Sequence, residues 1–382
     1  MVTQESELQT ENGAVNNILP EAIRKKDRRI SSVATINDVA RRAGVSPMTV
    51  SRVMNDNKNV REETRAAVLC AIAALQYAPN PAARSLAGAQ GIRIGLLYNN
   101  PSAGYLSEFL VGALDECSRK SGQLVLEKCA SDDGEAERAA VHKLVRGGVG
   151  GIILPSSLRE AGAILAELER ADIAAVAVAT ARFGHDVSCV RVDDRQAAYE
   201  MTRHLLDHGH RRIGFIKGHP NEPASEARKT GFEAALREAH CEIDTDLSVQ
   251  GYFSYRSGLD AAETLLSRKR PPTAIFASND DMAAAVVSVA HRRGLDVPRD
   301  MSVVGFDDTP IAATLWPELT TIRQPIAEMA EIALDLIIRD IRRRKTGSKA
   351  KAVDHLVAHT LIRRQSVTAP AGGNPENVVR RS

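Results

Sequence analysis

The feature that most limits what this chain can become is the run at 34–87, ATINDVARRAGVSPMTVSRVMNDNKNVREETRAAVLCAIAALQYAPNPAARSLA. Thr35 caps a first helix whose apolar residues Ile36, Val39, Ala40 and Ala43 recur at helical spacing. Gly44 supplies a turn in which a positive φ is cheap only for glycine. Ser46 caps a second helix, and Pro47 takes its first position, where a missing N–H costs nothing. Val50, Val53 and Met54 fall on the side of that helix able to bury, which leaves Pro47, Met48, Ser51, Arg52 and Asn55 facing out. An outward row of small, polar and basic residues, on a helix seated by its apolar side, is what entry into a DNA major groove requires. A third helix and a proline-hinged segment complete the run.

Charge agrees with this reading. Residues 21–88 hold twelve Lys/Arg against six Asp/Glu, while residues 89–382 hold 38 against 39. The positive excess therefore sits beside the proposed reading head, where phosphate neutralisation needs it.

Residues 35–88 resemble the DNA-binding headpiece and hinge of the lactose-repressor (LacI/GalR) family of bacterial transcription regulators. The stretches ATI-DVA--AGVS--TVSRV-N, ETR--V--AI--L-Y-PN and ARSLA carry the likeness, and it continues through an effector-binding core to about residue 367. The resemblance implies that Pro47, Met48 and Arg52 read bases. The planar fork of Arg52 can bond two acceptors on one guanine. It also implies phosphate contacts from Thr35, Thr49, Ser51, Asn55 and Tyr77, which set register without reading sequence. Asn80–Leu86 becomes a hinge helix too short to stand alone in water, and Leu86 the apolar wedge that kinks the minor groove. The implied partners are a pseudo-palindromic double-stranded operator and a second copy of the chain, since one headpiece reads only a half-site.

The 382 residues, 43% of them hydrophobic, allow two to three domains. No apolar run is long enough to span a bilayer, and the acidic, polar N-terminus lacks a signal-peptide stretch, so a cytoplasmic protein with no membrane role is expected. Cys70, Cys117, Cys129, Cys189 and Cys241 are scattered and odd in number, which points to reduced thiols used in packing. Residues 1–33 read as a disordered extension, turning basic in IRKKDRRI, and residues 368–382 as a loose tail. The headpiece spans 34–79, the hinge 80–90 and the core 91–367.

In the core, short apolar runs at 92–98, 124–129, 151–154, 173–178, 212–216, 273–277 and 302–305 alternate with helical stretches such as 135–146, 196–207 and 327–343. Such runs suit strands buried on both faces of a parallel sheet. The fold class is therefore α/β, with doubly wound parallel sheets behind a three-helix helix–turn–helix headpiece. The resemblance adds a two-lobed core like that of periplasmic sugar-binding proteins. It implies crossings near 190, 320 and 350, with an N-lobe of 91–190 and 321–350 and a C-lobe of 191–320 and 351–367.

The same likeness implies effector contacts at Arg228, Phe253, Asn279 and Asp307, joined by Tyr105 and Phe109 from the N-lobe. Donors and acceptors on an arginine, an asparagine and an aspartate, beside one aromatic face, suit a polyhydroxylated ligand. Ala179 and Thr180 replace polar residues common in the family, so one customary ligand hydrogen bond is missing, and a purine or nucleoside stays open beside a sugar. No cofactor and no metal is expected. In HLLDHGH, Gly209 redirects the chain between His208 and His210, which favours a structural turn over a metal site. One carboxylate in each of the pairs 193–194, 280–281 and 307–308 is expected to cap the next helix. Gly147, Gly148, Gly150 and Gly151 precede a strand and read as a turn, not a dinucleotide loop. Trp316 is assigned to packing or a dimer contact. An enzyme would need a phosphate loop, a nucleophile with its base or a metal cluster. A transporter's solute receptor would need an export signal.

Overall fold

The structure, a computed structural model, describes residues 34–54, 60–75, 77, 91–129, 133–178 and 186–370. It comprises a unit up to Gln90 and a unit from Gly91 onward. The expectations for residues 1–33, Asn55, the hinge at 80–90, Ala179 and Thr180 lie outside the described residues.

In the first unit the helices are α1 (Ile36–Ala43), α2 (Pro47–Met54) and α3 (Glu62–Ala74). Thr35 Oγ1 accepts the Asp38 N–H at 3.4 Å while the Asp38 carboxylate accepts the Thr35 N–H at 3.0 Å. This reciprocal capping box uses an aspartate where glutamate is usual. Gly44, at φ +65°, closes α1 by donating its N–H to the Ala40 carbonyl. Two residues on, Ser46 Oγ accepts the Thr49 N–H at 3.2 Å and starts α2. Val39, Ala40, Val50, Val53, Val68 and Ala71 form the buried core, with Ile36, Ala43, Met54 and Tyr77 packed at its edge.

The second unit begins with β1 (Ile92–Tyr98), α4 (Ala103–Lys120), β2 (Gly122–Lys128), α5 (Gly134–Arg146), β3 (Gly151–Pro155), α6 (Ala161–Arg170), β4 (Ala174–Val178) and β5 (Ser188–Arg191). There follow α7 (Asp194–Asp207), β6 (Ile213–Lys217), α8 (Pro223–Glu238), β7 (Ser248–Gln250), α9 (Tyr255–Leu266), β8 (Ala274–Ala277) and α10 (Asp280–Arg292). The last elements are β9 (Ser302–Val304), α11 (Pro310–Thr314), β10 (Thr321–Arg323), α12 (Ile326–Arg344), β11 (Asp354–Leu356) and β12 (Thr360–Ile362).

Two parallel sheets result, ordered β11-β5-β4-β3-β1-β2 and β7-β6-β8-β9, with β10 and β12 pairing antiparallel. Side-chain alternation explains the helix layers on both faces. In the first lobe Ile94, Leu96 and Ile153 meet α4 and α12, while Leu97, Ile152 and Leu154 meet α5 and α6. In the second, Ile275 and Ala277 face α9 and α10, whereas Ala274 and Phe276 face α7 and α8.

The chain passes between lobes after β5, between β10 and α12, and between β11 and β12. The third passage lies beyond Leu356 and not near 350, because β11 pairs in parallel with β5 and extends the first sheet. Thr321–Arg323 belongs with the second lobe, where Asp307 N–H donates to the Ile322 carbonyl at 2.8 Å. Nor is the chain loose at 368, since the Thr368 carbonyl accepts from Ser302 Oγ at 3.1 Å and its N–H donates back to that hydroxyl at 3.0 Å; residues 371–382 lie outside the described residues.

The carboxylate pairs also need correction. Asp193 does cap α7, accepting the Gln196 N–H at 2.9 Å. At α10 the cap is Asn279, whose Oδ1 accepts the Met282 N–H at 3.0 Å, and at α11 Thr309 occupies the cap position without a side-chain capping bond. Asparagine wins at α10 because the carboxylate of Asp280 is turned inward to Thr309 and Thr321. Trp316 is 80% exposed, so it serves no packing within the subunit. All five cysteines are free thiols, and of these Cys70 is exposed and therefore not a packing residue.

α7 and α8 are held close by Gly231, where an added Cβ would run into the Arg195 carbonyl. Overpacking of this kind, against backbone that cannot rotate away, costs about 1–3 kcal/mol. Gly231→Ala is therefore expected to lower the thermal midpoint of the second unit by several degrees, as followed by circular dichroism. An unchanged midpoint would contradict the close approach.

Candidate functional site

The strands of both sheets end toward a shared cleft, the place where open α/β sheets bind ligands. Tyr105, Arg228, Phe253, Asn279 and Asp307 all line one cavity there, of about 70 Å³. At ~30 Å³ per water, this is room for about two solvent molecules. An adjoining space of about 80 Å³ is lined by Phe109 and shares Asn100, Tyr105, Ser156, Val178 and Glu222 with the first. Phe109 is itself buried in the core of the first lobe, so its main role is packing.

Arg228 organises the floor. It is 5% exposed, and its Nε donates to Asp194 Oδ1 at 2.8 Å while an Nη1 hydrogen goes to the Ser278 carbonyl. Asp307 Oδ1 lies 3.8 Å from Nη1. The guanidinium stacks 3.6 Å above the Phe306 ring and lies 5.6 Å from that of Phe253. Asp307 also accepts from Gln324 Nε2 at 2.6 Å. Burial lifts its pKa to about 7, against the pull of Arg228 and the Gln324 bond. Deeper still, burial and the charge of Asp307 push Asp280 well above the usual carboxylate range. This pair resists carrying two charges at neutral pH.

Asn279 donates from Nδ2 to the Phe253 carbonyl at 2.9 Å and caps α10 with Oδ1, which leaves one N–H and one lone pair of the amide. Its contribution is to fix the Phe253 loop. Backbone strain gathers in the same place, with Phe253 at φ +56°, Asp307 at +112° and Asp308 at +59°. Non-glycine residues persist there only when surrounding structure over-determines them, as ligand clamps do. Sequence reasoning missed Asp194, Glu222, Phe306 and Gln324. Only Asp194 carried a local signal, as the second member of an acidic pair opening a helix.

The histidines are structural. His210 is 1% exposed and bonds Thr273 Oγ1 at 2.9 Å, with Nε2 shared between Ser302 Oγ at 3.0 Å and the Thr368 carbonyl at 2.8 Å. Burial lowers the pKa of both His204 and His210 to about 4. Gly209, at φ +91°, turns the chain between them. No metal-binding group of side chains occurs among the described residues.

On the first unit, α2 is anchored by Val50 and Val53 and exposes Pro47, Met48 (64% exposed) and Arg52. Thr49 and Ser51 are half-buried beside them. Thr49 Oγ1 lies 2.9 Å from Ser46 Oγ, and the Thr35 hydroxyl donates to Asp38 at 2.6 Å. That bond and the Arg41 ion pair hold the Asp38 carboxyl below its usual range. The Tyr77 ring packs on the helical core.

Residues 35–80 match the family described as bacterial regulatory proteins, lacI family, and residues 202–367 a periplasmic binding protein-like domain. The chain is 35% identical over 338 residues to the HTH-type transcriptional regulator GalR of Salmonella typhimurium, covering 88% of this chain and 97% of that one. A lac repressor dimer bound to operator and the anti-inducer ONPF superposes with a TM-score of 0.68 at 27% identity, covering 88% of this chain and all of that one. A complex of the regulator CelR with cellobiose gives 0.65 at 29% identity, covering 87% and 99%. The chain belongs to the LacI/GalR family of helix–turn–helix transcriptional regulators. Its relatives are regulators and not enzymes, and no helix among the described residues is long and apolar enough to cross a membrane.

The raised pKa of Asp307 yields a test. Folding favours its protonated form, so that stabilisation is present below its ordinary pKa of 3.8 and lost as pH climbs through about 7. Asp307→Asn keeps an acceptor for Gln324 and removes the charge. Thermal denaturation at pH 8 is expected to show this variant at least as stable as wild type, while titration shows weakened effector binding. A marked loss of stability would mean that Arg228 outweighs burial.

Proposed function

We propose that this chain is a repressor whose grip on a pseudo-palindromic operator is set by a small polyhydroxylated effector held between the two lobes. The observation that carries the reading is the cleft floor, where Arg228, Asp307 and Gln324 present donors and acceptors beside the Phe253 ring. Such mixed polar and aromatic linings suit sugars, and the cellobiose complex of CelR supports the carbohydrate class. Arg228 and Asp307 bond neighbouring hydroxyls, Phe253 covers an apolar ring face, and Tyr105 closes the cleft from the other lobe. Asn279 serves through the loop it fixes.

DNA binding uses Arg52 as the guanine reader, Met48 for apolar contact and Pro47 for shape. Thr35, Thr49, Ser51, Asn55 and Tyr77 hold phosphates, Asn80 adds a further DNA contact, and Leu86 wedges the minor groove. Two copies act together, as the lac repressor dimer on its operator does. The protein works in the cytoplasm on DNA and performs no turnover of its ligand. Effector binding changes lobe closure and so the stability of the hinge, a coupling of ~1–3 kcal/mol in typical allosteric proteins.

Operator selection from random duplexes, followed by gel shifts, tests the reader. Arg52→Ala is expected to lose roughly 10- to 100-fold of its preference for the selected site. Binding to unrelated DNA should fall far less. Undiminished preference would remove Arg52 from the base-reading role.

A further inference from the structure

The charge around the cleft is lopsided. Among the described residues lining the first cavity, the ionisable carboxylates are Asp194, Glu222 and Asp307, and the only cation is Arg228. Arg228 is already committed to Asp194 and Asp307. Among the described residues Glu222, at the cap position of α8, has no such partner, and its side chain accepts the Ser156 hydroxyl at 2.8 Å. That bond spans the cleft, since Ser156 follows β3 in the first lobe. Glu222 also borders all three spaces found there, the 70 and 80 Å³ cavities and a mouth of about 300 Å³ shared with His219 and Tyr252.

A half-buried carboxylate without a counter-ion repels anions and gains most from a cation, because the surrounding protein screens charge less than water does. Among the described residues, a phosphorylated or carboxylated sugar would meet Glu222 with no uncommitted cation lining that cavity to receive it. We propose that the effector bears an ammonium group on a polyhydroxylated frame, with the Glu222 carboxylate as its counter-ion and the Ser156 hydroxyl beside it. This rests on the reading of the cleft as the effector site. On binding, the ammonium replaces the Ser156 hydroxyl as the principal donor to Glu222, so entry of ligand exchanges one bond between the lobes for a bridge through the ligand.

Calorimetric titration of the full-length protein at about pH 6.5, where a sugar amine is charged, tests the proposal. The probes are D-glucosamine, D-galactosamine and D-mannosamine, each beside its neutral parent hexose and its N-acetyl derivative. In at least one series the amine is expected to bind about tenfold or more tighter than both neutral forms. Glu222→Gln should erase that preference, so that amine and parent hexose bind it within about threefold of each other, and Glu222→Asp, which keeps the charge, should retain part of it. Equal binding of amine and hexose, or a preference surviving in Glu222→Gln, overturns the ammonium proposal alone. Absence of binding in every series overturns it together with the carbohydrate reading of the cleft.

Discussion

The buried guanidinium of Arg228 is the contact on which both fold and site depend. It reaches from α8 to Asp194 at the start of α7, to the carbonyl of Ser278 after β8 and to Asp307 beyond β9. These are the points where the second lobe meets the cleft. Taking the charge out of water is expensive, and the Phe306 face and Asp194 repay it only because their geometry is good. Removing one partner from such a buried pair typically costs about 3–5 kcal/mol, since the other is stranded. A ligand that replaces water at Arg228 and Asp307 therefore acts on groups that are already held in place, and the cost of orienting them was met during folding.

The same arrangement explains what could be read in the sequence. The headpiece was legible because its determinants are local: Thr35 with Asp38, Gly44, and Ser46 before Pro47 act over at most four residues. The longer strands were legible because both faces of each sheet are covered, which demands unbroken apolar runs such as Ile152–Leu154. β5, β7, β10, β11 and β12 were not, being three or four residues each and defined by partners elsewhere in the chain, as β11 is by β5. At α10 an inward-facing aspartate and a capping asparagine exchanged their expected roles, a choice made by Thr309 and Thr321 from other parts of the fold. The resemblance located Arg228, Phe253, Asn279 and Asp307, and the coordinates show that they share one cavity. It did not reveal that Asn279 also caps α10 and holds the Phe253 carbonyl, nor the carboxylate of Glu222.

Closure of the two lobes depends on the bonds that cross the cleft. A ligand that parts the lobes as it enters stays only if it replaces what their parting loses. The Ser156–Glu222 hydrogen bond is one such loss. A neutral bond of this sort is worth about 1 kcal/mol net, and one to a charged group up to about 3. That range matches the coupling free energies typical of allosteric proteins. A single bond across the cleft is therefore of the right size to bias lobe position, without being so strong that a ligand cannot displace it.

This sets a condition on any effector. A molecule that binds open and closed forms equally moves nothing, however tightly it binds. Differential affinity has to come from groups whose surroundings change as the lobes move. Arg228, Asp307 and Gln324 are ligated to one another, all on the second-lobe side, and travel together. Glu222 and Ser156 do not, since each belongs to a different lobe. Whatever grips the first set supplies affinity, and whatever comes between the second pair supplies the signal.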